Sequence, residues 1–268
     1  CACLVGSEMC IRDRECVDIK ATDKENMVKF AKENAIDFCV VTPDDPLALG
    51  MVDVMEEAGI PCFGPKANAA IIEASKAFSK DLMKKYGIPS ADYEPFDNEK
   101  YALHYIEEKN TFPIVIKADG LALGKGVLIC ETLDDAKTAL REMMVEHVFG
   151  LSGNKVVVEE FMTGKEVSVL AFTDGNVVKP MISSMDHKRA YDNDEGLNTG
   201  GMGTIAPSPY YTKEIAETCM ETIFLPTVKA MNAEGRTFKG CLYFGLMLTP
   251  RGPRVVDCLL YTSPSPRD

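Results

Sequence analysis

The pattern of hydrophobic and polar positions near the start of the chain predicts a small α/β unit. The mainly apolar segment 36–42 predicts a buried strand. The polar, proline-containing segment 43–46 ends it before an amphipathic helix over 47–58. Cys62 and Phe63 begin a second short strand, which Gly64 and Pro65 stop. A strand–helix–strand order predicts a parallel sheet that binds ligands at the carboxyl ends of its strands. Segment 43–46 is therefore expected at the rim of a site.

The middle of the chain predicts a second α/β unit. Two short helices over 67–86 end at Gly87-Ile88-Pro89, which is typical of a domain boundary. Thr132, followed by Asp135 three residues later, forms a near-capping-box that marks the start of a helix. The predicted strands are 93–96, 114–118, 127–129 and 156–161, and the predicted helices are 98–108 and 133–145.

The last part of the chain predicts two hairpins separated by a long helix. Asp174-Gly175 between two apolar segments is a strong hairpin signal. The helix is predicted over 213–233, with a bend at Pro226. The hairpin strands are 167–173 with 177–180, and 240–248 with 254–257.

Charge and cysteine usage narrow the class of protein. The net charge of −12 argues against a general binder of nucleic acid or of anionic membranes. The sequence has no run of 18 apolar residues of the kind that spans a bilayer. The ten cysteines include no C-x-x-C pair and are scattered, which is the usage of free thiols in a reducing cytoplasm. We therefore expect a cytoplasmic protein with small-molecule ligands.

The two ends of the chain differ from the rest. Segments 1–14 and 259–268 show no helix or strand periodicity, and they resemble translated sequencing-adapter sequence. A signal peptide does not fit the first segment, because a basic start followed by an apolar stretch of 7–15 residues is missing. Both segments are expected to be non-native.

The segment 113–126 carries the clearest chemistry. An apolar strand delivers Lys117 to the edge of a buried sheet, where its ammonium is expected to emerge, and a glycine-rich turn with Lys125 follows. Glycines allow the backbone to place N–H groups against anionic oxygens, and lysines add positive charge. The segment therefore predicts a flap over a nucleoside triphosphate. The spacing does not match a Walker loop. The alternative is a glycine-rich hairpin with solvated lysines. The glycines concerned are Gly120, Gly124 and Gly126.

Four motifs in one order extend this interpretation. Segment 113–126 is followed by Val-Val-Glu-Glu-Phe at 157–161, Asp-His-Lys-Arg at 186–189 and Asn-Thr-Gly-Gly-Met-Gly at 198–203. In order and spacing they resemble the phosphoribosylamine–glycine ligase family of ATP-grasp enzymes. The resemblance extends from about Cys16 to Val256 and includes 43–47 and 75–78.

The resemblance implies an α/β protein, with an ATP-grasp fold preceded by a partial parallel α/β (pre-ATP-grasp) domain. The partial substrate domain is expected over 15–66 and the ATP-grasp domain over 67–258, incomplete at its C-terminal end. The flap subdomain is expected over about 90–161.

The resemblance also implies a set of ATP-binding residues. Lys76 and Lys117 are expected to bind the phosphates. Glu159 and Phe161 mark the ends of the segment expected to contact adenine, and Glu166 is expected to accept a hydrogen bond from a ribose hydroxyl. The flap supplies Gly120, Gly124, Lys125 and Gly126. The alternatives are an exposed helical lysine at Lys76 and two solvated acids at 159 and 166.

The substrate residues implied by the family lie in three segments. The catalytic set is Asp186, His187, Lys188 and Arg189, which would face phosphoribosylamine, phosphate and the acyl-phosphate transition state. The alternative for this set is a charged surface turn. The substrate-binding set is Asn198, Thr199, Gly200, Gly201, Met202 and Gly203, together with Pro43, Asp44 and Pro46. Three glycines in four residues favour close backbone approach to a ligand.

The activity implied is ligation of glycine to 5-phosphoribosylamine, with ATP and Mg²⁺ (or Mn²⁺), by a monomer or weak oligomer. The family's metal pair, a glutamate and an asparagine, should fall at 257 and 259, where this chain has Asp257 and Leu259. Asp257 is thus the one expected metal ligand, and we expect this chain to be inactive. Another ATP-grasp ligase, or a nucleotide-binding fragment without turnover, remains an alternative.

Overall fold

The computed structural model describes residues 16–121, 126–187, 189–191, 195–199 and 202–260. The α-helices are α1 (Lys24–Glu33), α2 (Asp44–Ala48), α3 (Met51–Glu57), α4 (Ala67–Ala74), α5 (Lys76–Tyr86), α6 (Glu99–Lys109), α7 (Leu133–Leu140), α8 (Lys213–Cys219) and α9 (Leu225–Ala233). The first seven strands are β1 (Cys39–Val40), β2 (Cys62–Phe63), β3 (Tyr93–Phe96), β4 (Ile114–Ala118), β5 (Val127–Cys130), β6 (Val156–Glu160) and β7 (Lys165–Thr173). The others are β8 (Val178–Pro180), β9 (Met185–Asp186), β10 (Arg189–Tyr191), β11 (Glu195–Asn198), β12 (Thr204–Ile205), β13 (Gly240–Thr249) and β14 (Gly252–Leu260).

The parallel pairing expected near the start of the chain is present, but two elements there differ from prediction. β1 and β2 pair in parallel. The buried strand over 36–42 is wrong, because β1 has only two residues and Phe38 and Val40 are each 55% exposed. Within the described residues this sheet has two strands, so little packs against them. The single helix over 47–58 is also wrong: α2 begins at Asp44, and Gly50, with φ of 85°, separates it from α3.

A four-stranded antiparallel sheet in the order β3-β6-β4-β5 forms the middle unit. Helices α6 and α7 pack on it and bury Ile106, Leu140 and Ile116 in a core of their own. Thr132 and Asp135 form the predicted capping box at the start of α7, which continues as a π-helix over Arg141–Val145. This unit lies within the range 90–161 in which the flap subdomain is predicted, and its part as a flap stays a prediction.

A second antiparallel sheet, in the order β14-β13-β7-β8, forms the other half of the fold. The hairpin predicted at Asp174-Gly175 joins β7 and β8. The helix predicted over 213–233 is present, but a π-helical segment, Met220–Phe224, precedes the proline at 226 and separates α8 from α9. The core of this half also contains side chains of α1, α3 and α4.

The ends of the described chain bear on the predicted boundaries. Strand β14 continues through Leu259 and Leu260, which pair with Tyr243 and Leu242, so the regular structure extends past position 258. Segment 1–14 and the rest of 259–268 lie outside the described residues. No helix in the described part of the chain is long and apolar enough to cross a membrane.

Candidate active site

The predicted phosphate lysine lies at the junction of the two sheets. Lys117 is the fourth residue of β4, and its ammonium donates a hydrogen bond to the Val256 carbonyl at 3.0 Å. The Nζ atom is 3.0 Å from Asp257 Oδ1 and 3.2 Å from Glu159 Oε2. The expectation that the ammonium emerges at the sheet edge is wrong, because Lys117 is only 2% exposed. The two carboxylates compensate its buried charge.

Helix α5 brings two further lysines to this point. Ser75 caps the helix by accepting the Phe78 N–H, and Lys76 Nζ donates to the Gly120 carbonyl at 3.1 Å. Lys80 lies one turn further along the same helix face, 4% exposed, with its Nζ 3.0 Å from Glu159 Oε2. Sequence reasoning missed Lys80, although its spacing of four residues from Lys76 was a usable signal.

Asp119 fixes the start of α5 against the end of β4. Its carboxylate accepts the Ala77 N–H at 2.6 Å and the Ser75 hydroxyl at 3.1 Å, and its carbonyl accepts the Lys76 N–H at 3.0 Å. Charged acceptors make such bonds strong. Asp119 therefore holds the loop after Lys117 beside Lys76. The sequence analysis did not single it out.

Burial and ion pairing act in opposite directions on these groups. Burial lowers the pKa of Lys117, but Asp257 and Glu159 outweigh burial and raise this pKa above its ordinary value. For Lys76 and Lys80, burial is the larger effect and the pKa is lowered despite nearby carboxylates. Burial raises the pKa of Asp257, but Lys117 outweighs it and the pKa falls below its ordinary range. Lys117 and Asp257 are therefore both charged at neutral pH.

The predicted flap is a hairpin whose tip lies outside the described residues. β4 and β5 pair with Lys117 opposite Val127, and the Ala118 N–H donates to the Gly126 carbonyl at 2.8 Å. At Gly120 a Cβ atom would lie 2.6 Å from Ser152 Oγ, so close packing favours glycine there. Gly124 and Lys125 fall in the part that is not described.

The segment predicted to contact adenine, 159–161, consists of the last two residues of β6, an inner strand of the middle sheet, and the residue after it. Glu160 lies 3.2 Å from Arg251 and 3.4 Å from Arg254, which attach the end of β6 to the β13–β14 hairpin. Phe161 is 36% exposed, and Glu166 is an exposed residue at the start of β7. Glu159, by contrast, is a buried ion-pair partner and not a solvated acid.

The two predicted substrate segments lie against each other. β9, which ends at Asp186, pairs with β12, and the backbones of His187, Met202 and Gly203 exchange hydrogen bonds of 2.7 and 2.9 Å. β10 and β11 pair with Arg189 opposite Asn198. Thr199 follows that strand. Lys188, Gly200 and Gly201, and the side chains of Arg189 and Asn198, lie outside the described residues.

The predicted rim segment lies on the helical side of the fold. Pro43 is the N-cap of α2, Asp44 opens the helix, and Pro46 is buried in its first turn. α2 packs on α4, the helix before α5. The part of this segment in a site stays a prediction.

The donor set near Asp257 does not suit a metal ion by itself. Asp257 Oδ1 is engaged by Lys117, and the described residues contain no group of three or more His, Cys, Asp or Glu side chains arranged to hold a metal. Residue 259, two positions along the same strand, is leucine and offers no oxygen. The residues present therefore do not fit a complete magnesium site.

Known families match this chain over almost its whole length. A model described as phosphoribosylglycinamide synthetase, ATP-grasp (A) domain, matches residues 74–260, and the N domain of the same family matches 1–73. The phosphoribosylamine–glycine ligase of Listeria monocytogenes (strain EGD-e) is 48% identical over 256 residues, which is 95% of this chain and 61% of the relative. This chain thus spans about three fifths of that relative's length.

Solved structures agree with this assignment. The phosphoribosylamine–glycine ligase of Thermotoga maritima superposes with a TM-score of 0.70 at 34% identity, over 75% of this chain and 51% of that one. The biotin carboxylase domain of Hydrogenobacter thermophilus 2-oxoglutarate carboxylase, in complex with MgADP, gives a TM-score of 0.72 at 19% identity, over 92% and 53%. At that identity the second likeness concerns the fold alone. The chain belongs to the phosphoribosylglycinamide synthetase family and has its ATP-grasp fold, with a partial parallel α/β unit in front.

Proposed function

We propose that this chain is the ATP-binding part of a ligase that joins glycine to 5-phosphoribosylamine. In the proposed reaction ATP phosphorylates the glycine carboxylate, and the amine attacks the glycyl phosphate to give glycinamide ribonucleotide, ADP and phosphate in purine synthesis. The observation that carries the proposal is the meeting of Lys76, Lys80 and Lys117 beside a glycine-rich hairpin. We expect a cytoplasmic protein that acts as a monomer or weak oligomer.

Lys76 and Lys117 would bind the phosphates of ATP. Lys76 is half-buried beside the Gly120 carbonyl, so its ammonium can turn toward an anion at the mouth of the cluster. Lys117 is held deeper, and the flap residues Gly120, Gly124, Lys125 and Gly126 would close over the nucleotide. Such charge placed before the reaction stabilises developing anionic oxygens without reorganisation.

The paired segments 186–189 and 198–203 would hold the other substrates. Their backbone hydrogen bonds place His187 beside Met202 and Gly203, so the two segments meet at this point. Lys188 and Arg189 would stabilise the acyl phosphate, and the glycine-rich segment would admit a substrate close to its backbone. Pro43, Asp44 and Pro46 would line the amine side.

Mg²⁺ would neutralise the phosphate oxygens that ATP brings to such a site. In this chain the family's metal pair is reduced to Asp257, whose carboxylate pairs with Lys117. The same observation favours a second candidate function for this chain, which is ATP binding without turnover.

The experiment is calorimetry with ATP on the whole chain and on Lys76→Met. Because hydrogen bonds to charged groups contribute about 1.5–3 kcal/mol, we expect the variant to bind ATP about tenfold more weakly or worse. Lys85→Met is the matched control, since Lys85 lies on the exposed side of the same helix and pairs with Glu234. Absence of ATP binding by the wild type would overturn the proposal. Measuring ADP release with glycine and phosphoribosylamine present separates ligation from binding alone.

A further inference from the structure

Two ammonium groups share one carboxylate oxygen in the lysine cluster. Glu159 Oε2 lies 3.0 Å from Lys80 Nζ and 3.2 Å from Lys117 Nζ. The other oxygen, Oε1, is buried without a hydrogen-bond partner among the described residues. Glu159 is 3% exposed, so its charge needs a nearby cation to compensate it. Lys80 and Lys117 compete for that role.

Lys80 contacts the cluster through Glu159. It is 4% exposed and lies one helical turn along α5 from Lys76, in a small cavity also lined by Ile72 and Met83. Its Nζ is 3.0 Å from Glu159 Oε2, although no partner among the described residues meets hydrogen-bond geometry with it. A buried ammonium is costly unless a charged partner compensates it. Glu159 is that partner, so the charge of Lys80 acts first on this carboxylate.

We infer that Lys80 is a positioning residue: it neutralises Glu159, so that Lys117 is free to exchange this carboxylate for the phosphate of a nucleotide. The inference rests on the proposed ATP site. Without the charge of Lys80, Glu159 has only Lys117 within ion-pair distance among the described residues. Lys117 is then held more tightly in the cluster, and an incoming phosphate must break a stronger ion pair.

This arrangement predicts that Glu159→Gln raises ATP affinity more in Lys80→Met than in the wild type, whereas a phosphate contact or a packing role of Lys80 would let it act equally in both. Lys80→Met keeps the length and apolar stem of the side chain but removes its charge. We expect ATP to bind about tenfold more weakly to this variant, within the range of coupling seen between contacting residues. Adding Glu159→Gln removes the competing carboxylate charge. The double variant should therefore recover affinity to within about threefold of wild type.

The test is calorimetry with ATP on the whole chain, for wild type, Lys80→Met, Glu159→Gln, the double variant and the control Lys85→Met. Melting curves on each confirm that the protein compared is folded. Weak binding by Lys80→Met with recovery in the double variant supports the inference. Unchanged affinity in Lys80→Met overturns it, and so does a double variant that binds as weakly as Lys80→Met. A wild type that does not bind ATP overturns the proposed function as well, and the two failures are thus distinguishable. If Lys80→Met does not fold, Lys80→Arg, which keeps the charge, must bind like wild type.

Discussion

Replacing Lys117 by methionine tests whether the buried ion cluster stabilises the fold. Lys117 is 2% exposed and compensates Asp257 and Glu159 at 3.0 and 3.2 Å. Removing one partner of a buried ion pair costs about 3–5 kcal/mol, because it leaves a buried charge unpaired. Glu159 keeps Lys80 at 3.0 Å and the Asp257 side chain is 30% exposed, so we expect no more than the lower end, about 3 kcal/mol. For a chain of this size that corresponds to a melting temperature lower by about 6–12 °C.

The pH dependence of this loss follows from the pKa shifts. The pKa of Lys117 is higher in the folded protein than in the unfolded chain, so its contribution to stability is complete below the unfolded pKa and is lost above the folded pKa. The pKa of Asp257 is lower in the folded protein, so its contribution is complete above the unfolded pKa and is lost in acid. The Lys117–Asp257 pair is therefore at full strength between about pH 4 and pH 10. In the variant the pKa of Asp257 rises from its wild-type value, because Lys117 is the main cause of its lowering, so protonation in acid relieves part of the cost.

The assay is thermal and urea unfolding at pH 7.5 and pH 5, with Lys85→Met as control. Lys85 is 63% exposed in its pair with Glu234, and exposed pairs contribute little. We expect Lys117→Met to lower the free energy of unfolding strongly at pH 7.5 and less at pH 5. The control should change it little at either pH. A loss for Lys117→Met that equals the control, or that is the same at both pH values, would refute the reasoning.

Three further predictions concern other parts of the chain. Thr132→Ala removes the capping box of α7 and should cost about 1 kcal/mol in urea unfolding. Burial raises the pKa of the Cys219 thiol to about 11, so at pH 8 iodoacetamide should label exposed Cys16 before Cys219. Mass spectrometry can follow both residues, and equal labelling rates would contradict this prediction. In Gly164→Ala the new Cβ would collide with the Leu248 carbonyl, which should cost about 1–3 kcal/mol, and unchanged stability would show that the turn adapts freely.

Local signals in the sequence were sufficient for many elements of the fold. The capping box at Thr132, the left-handed C-cap at Gly87 and the hairpin at Asp174-Gly175 each depend on residues a few positions apart, and each is present. The strand over 36–42 was wrong because its burial depends on neighbouring strands, which periodicity does not report.

The candidate site was predictable only in part. Lys76, Lys117 and Glu159 were found through motifs, and the structure brings them together. Lys117 was expected to emerge at the edge of a buried sheet, but it is buried against Asp257, which lies 140 residues beyond it in the chain. Lys80 was missed, and it pairs with Glu159 on a distant strand. Ion pairs over such separations follow from tertiary packing, and a single sequence does not encode them in its spacing.

The division of buried apolar side chains into two clusters determines how the protein can lose structure. One cluster joins α6, α7 and the sheet containing β4 and β6, and the other joins the remaining helices to β7 and β13. Each can open without exposing the interior of the other, so amide protons should exchange with solvent as two cooperative groups. Lys117 belongs to one group and Asp257 to the other, so their contact, together with those of Glu160 to Arg251 and Arg254, couples the opening of the two units.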